Sequence, residues 1–146
     1  MVYKYKYKLN DKVLNELFGK TKTYKVHEIP KELLEEINCR IHARVSRTVF
    51  EKVKERHILV PSITYNTFDG SLEYSSVYTE NRAAIKAIRP EGWVLEHINL
   101  EFDGSYIALF SKNDDHIIGN VMMPTEELAE LYSIMLVMDY IETNVI

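Results

Sequence analysis

Residues 93–123 place the tightest constraint on the fold. Three runs that alternate in polarity, 93–102, 105–112 and 115–123, are separated by Asp103-Gly104 and Asn113-Asp114. Period-two alternation marks strands, and both dipeptides favour tight reversals. The stretch reads as a three-stranded antiparallel meander. Two-residue turns at both positions would set Phe102 opposite Ser105 and Lys112 opposite Asp115. That register places Val94, Ile98, Leu100, Phe102, Ile107, Leu109, Ile118 and Met122 on one face, read as core. The other face receives Trp93, Leu95, His97, Tyr106, Phe110, Ile117 and Val121, with Asn99, Ala108 and Gly119 as a row of small residues. This second face is also largely apolar, unlike the solvated side of an ordinary antiparallel sheet, so both faces are expected to be covered.

The last helix, expected over 126–142, carries the same implication. Between 128 and 141 only Glu130, Ser133 and Asp139 are strongly polar. A helix apolar around most of its circumference is central to its fold or covered by a partner. Full enclosure is hard to arrange in 146 residues, so a homo-oligomer is expected, with Trp93, Tyr106, Phe110, Ile134, Met135 and Met138 at its interface. Met122, Met123, Met135 and Met138 gather in the same region. Methionine is adaptable and suits either a core or a pliant binding surface.

Upstream, Tyr3, Tyr5, Tyr7 and Leu9 alternate with Lys4, Lys6 and Lys8, the pattern of a strand whose lysine face suits a sheet edge. Asn10 or Asp11 can cap a short helix ended by Gly19, and 21–29 reads as a second strand with Tyr24 and Val26 facing one way. Pro30 opens the longest helix, 31–57, with an apolar stripe of Leu34, Ile37, Ile41, Val45, Val49 and Val53. Asp69-Gly70 between 63–68 and 71–79 signals a hairpin, followed by a short helix over 80–88. The expected class is α+β in one domain, 1–146. It would be an antiparallel sheet of about five to seven strands, packed by the long central helix and the apolar C-terminal helix.

Composition narrows the chemistry. The single cysteine, Cys39, excludes an internal disulfide framework and a cysteine-based zinc site. The longest apolar run, 133–138, is far too short to span a bilayer, and the start lacks the apolar segment of a secretion signal. A cytoplasmic protein without membrane contact is expected. The net charge of -4 conceals a gradient: residues 1–25 carry +5, 26–88 are neutral and 89–146 carry −9. Such asymmetry suits neutralisation within the fold, self-association, or a partner read by charge.

Three constellations bear on function. The expected register sets Glu96, Ser111 and His116 side by side, but a hydrolytic relay needs histidine between acid and nucleophile, and serine lies in the middle. The five histidines show no metal-ligand spacing, and Asp103, Asp114 and Asp115 read as turn residues, so no metal is expected. No glycine-rich loop offers a phosphate cradle, so no cofactor is expected either. Arg40, Arg44 and Arg47 share a face of the long helix, where Glu36 and Glu51 stand at pairing distance.

The reading that remains is a non-enzymatic protein-binding module, a small regulator, inhibitor or adaptor acting as a homo-oligomer, with its acidic C-terminal half facing a protein partner. The alternative is a pocket between subunits that takes a small anionic, nucleotide-like ligand through Arg40, Arg44, Arg47, His97 and His116. A third is a nucleic-acid binder using the N-terminal lysines and the arginine face of the long helix.

Overall fold

The computed structural model describes residues 8–56, 63–65, 72–74, 77–113, 116–119 and 121–144. The side chains of 46–56, 63–65, 72–74, 77, 80, 116 and 144 are outside that description. In chain order the elements are α1 (Lys12–Thr21), α2 (Lys31–Arg56), β1 (Ile63–Tyr65), β2 (Leu72–Tyr74), α3 (Val77–Glu80), α4 (Arg82–Ala87), β3 (Val94–Leu100), β4 (Tyr106–Lys112), β5 (His116–Gly119) and α5 (Glu126–Asn144). A 3₁₀ turn, Val26–Glu28, follows α1. The N-terminal strand expected from Tyr3 onward and the Asp69-Gly70 turn fall outside the described residues. The chain forms two compact units: Pro30–Ile88, and the described residues on either side of it.

In the Pro30–Ile88 unit the Pro30 carbonyl accepts the first helical N–H groups of α2, from Leu33 and Leu34. Ile37, Ile41 and Val45 of the expected stripe are buried. Buried between them, Asn38 accepts from the amides of Tyr78 and Thr79 at 3.2 and 3.1 Å and donates to Thr79 Oγ1 at 3.1 Å. It thus supplies from α2 the cap that the first turn of α3 would otherwise lack. Residues 77–79, expected as strand, are helical here. The paired part of the expected hairpin is short, from Ile63 opposite Tyr74 to Tyr65 opposite Leu72.

In the other unit Asp11 caps α1 by accepting from the Leu14 amide at 3.0 Å. Gly19 does not end the helix. It stays in the right-handed region, and α1 continues to the buried Thr21, whose hydroxyl donates to the Phe18 carbonyl at 2.5 Å. The strand expected over 21–29 is also replaced. The amides of Lys22, Thr23 and Glu28 bond carbonyls three residues back, so this backbone is satisfied locally, and Tyr24 and Val26 are exposed.

The meander exists, with a different register. Leu100 pairs with Tyr106, Asn99 with Ile107 and Ile98 with Ala108, so the first connection has three residues, 102–104, closed by the Glu101 amide donating to the Ser105 carbonyl at 2.7 Å. A type I′ turn needs positive φ at both central residues. Here Gly104 is left-handed (φ 85) and Asp103 is not. Lys112 likewise pairs with His116, leaving three residues between β4 and β5, with Asn113 at φ 53. A slip of one residue sends every side chain to the opposite face. Phe110 therefore lies across from Leu95 and Ile118, and Ala108 across from Ile98, whereas His97, Asn99 and Ser111 share the other side. Both sides nonetheless hold buried residues: Ala108, Phe110 and Ile118 on one, Ile107 and Ser111 on the other.

The sheet of about five to seven strands is overturned. Among the described residues β3, β4 and β5 form one three-stranded antiparallel sheet in that order, and β1 and β2 pair only with each other. Helices and antiparallel strands together keep the chain α+β. The core assignment was met only in part: Ile107 and Ile118 are buried as expected. Val94, Leu100, Phe102 and Met122 are exposed, while Ala108 and Phe110 have no exposure. Helix α5 packs on β4 and β5, and every residue from Leu128 to Val137 is buried.

Candidate functional site

Among the described residues, a cleft of about 400 Å³ opens in the sheet-containing unit, lined by Lys22, Tyr24, Lys25, Val26, Asp103, Gly104, Ser105, Met122, Met123 and Pro124. Three segments build it. The turn after α1 supplies one wall, because its locally bonded backbone leaves Tyr24 and Val26 facing outward. The β3–β4 loop supplies the second. The third is the segment leading to α5, fixed to β4 by reciprocal hydrogen bonds between Tyr106 and Met123 at 2.8 and 2.9 Å.

The lining is apolar with a charged rim. Tyr24, Val26 and Met122 are 43%, 54% and 50% exposed, while Met123 is buried and closes the floor. Among the described residues no carboxylate lies within ion-pair distance of Lys22 or Lys25. Asp103 is engaged inside its own turn: the Ser105 hydroxyl and amide donate to it at 2.5 and 3.0 Å. Those bonds, the hydroxyl's first, hold its carboxyl below the ordinary aspartate value. Phe102, which precedes it, is fully exposed.

The residues singled out from the sequence lie elsewhere. Arg40 is exposed on α2 and pairs with Glu36 at 3.5 Å, Arg44 is half-buried on α2, and the Arg47 side chain is outside the described residues. These three belong to the Pro30–Ile88 unit, whereas His97 and His116 belong to the other. His97 is exposed on β3. His116 opens β5 opposite Lys112, its side chain outside the described residues. Ser111 does donate to Glu96, helped by an irregularity in β3 between Leu95 and His97, but the strand partner of Ser111 on β5 is Ile117.

Of the expected interface residues, Phe110, Ile134 and Met135 are fully enclosed. Trp93 is buried edge-on to Tyr140 at a centroid distance of 5.7 Å, and Tyr106 and Met138 are half-buried. Cys39 is exposed on α2. His42 is buried on α2, 3.3 Å from the Tyr78 hydroxyl, and burial pushes its pKa below the ordinary histidine value. Among the described residues no cluster of His, Cys, Asp and Glu is arranged to hold a metal, and no helix is long and apolar enough to cross a membrane.

Sequence reasoning passed over the cleft because it placed Tyr24 and Val26 on a strand and Met122 on a core face. The available signals were the lysine excess of residues 1–25 and the methionines near 122. Comparison with protein-family models, with curated proteins and with solved structures finds no match.

Proposed function

We propose that the chain is a non-enzymatic protein-binding module and that the cleft is its docking surface. The observation that carries this reading is the convergence of Tyr24, Val26 and Met122, each about half exposed, on one concavity. Single exposed apolar residues are ordinary, but three gathered around a cavity favour a ligand that covers them. Each is already half covered, so completing its burial contributes about 1 kcal/mol. That is enough, added over the cleft, to support reversible association with a segment of another protein. Met122 adds adaptability, since an unbranched thioether follows the shape of what it meets. The aliphatic hydroxyl in the lining, that of Ser105, donates to Asp103 within a turn. The features that raised the expectation of a homo-oligomer, a doubly apolar sheet and an apolar α5, are accommodated within one chain, so the reading does not require one.

The test compares proteins retained from a lysate by the wild-type chain with those retained by Val26→Asp/Met122→Asp. Both positions are exposed, so the variant is expected to keep the wild-type Tm. A partner captured by the wild type and lost with the variant supports the reading. Identical capture by both excludes the cleft.

A further inference from the structure

The cleft also specifies its ligand, an inference that rests on the docking role above. We infer that its occupant is an acidic peptide segment carrying a bulky apolar side chain. Lys22 and Lys25 stand on one wall beside Tyr24 and Val26, and no carboxylate among the described residues is in ion-pair range of either. The chain as a whole is acidic, with −9 over residues 89–146, so these cations form a local positive island on a negative molecule. Lysines with no ion-pair partner among the described residues, next to exposed apolar surface, favour a partner that brings carboxylates and hydrophobic side chains together. The opposite wall sets the polarity of docking. Asp103, an exposed carboxylate held in its turn by Ser105, repels other carboxylates, so those of the segment face Lys22 and Lys25 and its uncharged side faces the β3–β4 loop.

The same lysines with Tyr24 could be read as a phosphate-and-stacking site, but two features favour peptide. The lining offers one aromatic ring against Val26, Met122, Met123 and Pro124, which match aliphatic and aromatic side chains better than a row of bases. Asp103 in the opposite wall also repels a polyanion. A cleft of about 400 Å³ is in the range that holds a few side chains.

The experiment uses the full chain, isotope-labelled, titrated with four probes while the amides of Tyr24, Gly104 and Met122 are followed by NMR. The probes are a short glutamate-rich peptide containing leucine and phenylalanine, the same peptide with glutamine for glutamate, a glutamate peptide with no apolar residue, and oligo-dT. The expected result is that the first probe alone shifts the cleft amides at low concentration. Its affinity should fall about tenfold in Lys22→Glu/Lys25→Glu. Both lysines are exposed, and an unchanged Tm establishes that this loss is not unfolding.

Equal binding of the glutamine peptide overturns the charge inference and leaves the docking role standing. Tighter binding of oligo-dT overturns it in favour of nucleic acid. Cleft amides unmoved by any peptide overturn it as well. The docking role then falls only if Val26→Asp/Met122→Asp also captures what the wild type does.

Discussion

Gly104 and Gly119 both adopt positive φ, 85° and 137°, yet their surroundings differ sharply. A Cβ built on Gly104 meets nothing within 4 Å, while one built on Gly119 lies 2.0 Å from the Ala108 carbonyl oxygen. That oxygen belongs to the backbone of the central strand and cannot withdraw without opening the β4–β5 pairing. Gly104→Ala therefore meets only the backbone penalty of a left-handed L-residue, about 1 kcal/mol. Gly119→Ala adds a steric conflict and should cost about 3 kcal/mol or more. Urea denaturation of the two variants checks the ordering, and equal losses would mean that β5 can separate from β4 without consequence.

At the scale of elements, the Pro30–Ile88 unit contains a pH-sensitive contact on α2. Burial lowers the pKa of His42 below the ordinary value of 6.5 in the folded chain, so the unfolded chain binds more protons as the pH drops. The stabilisation is complete above pH 6.5 and is lost as pH falls through the folded value. The expected outcome is that stability, followed by thermal denaturation from neutral to mildly acidic pH, declines more steeply for the wild type than for His42→Gln. Parallel profiles would show that His42 is not the titrating group. His42 was unreadable as such in the sequence, being one of five histidines, but its place on α2 was not. The stripe Ile37, Ile41, Val45 fixes the buried face, and His42 adjoins it. The boundaries of α2 were legible for a similar local reason, since Pro30 sets its start. The hairpins were legible as hairpins but not in register, because Asp103-Gly104 serves a three-residue loop as readily as a two-residue turn. The choice lies in whether the aspartate turns left-handed or bonds Ser105, and a dipeptide does not encode it. That one-residue error put Ile107 and Leu109, in place of Ala108 and Phe110, on the side of Ile98 and Ile118.

For the whole molecule, α5 ties the sheet-containing unit together through the few polar residues on an otherwise apolar helix. Tyr132 donates to Asn15 of α1 at 2.6 Å, Ser133 to the Ala108 carbonyl of β4 at 2.8 Å, and Asp139 accepts from the Asn10 amide at 2.8 Å. Burial, reinforced by the nearby Asp139 charge, raises the Tyr132 pKa. Glu130, only 1% exposed, meets Arg89 at 2.7 Å, where the chain leaves Pro30–Ile88 and enters the sheet unit. Tyr132, Ser133, Asp139 and Glu130 thus each meet a different part of the chain. A buried ion pair is costly to break and often cheap to replace, because removing one partner leaves the desolvation of the other uncompensated, whereas removing both does not. Arg89→Met should lose about 3 kcal/mol of stability, and adding Glu130→Met to it should restore most of the loss. Denaturation of the two single variants and the double measures the coupling directly. Losses that simply add would mean that Arg89 and Glu130 contribute to stability independently of each other.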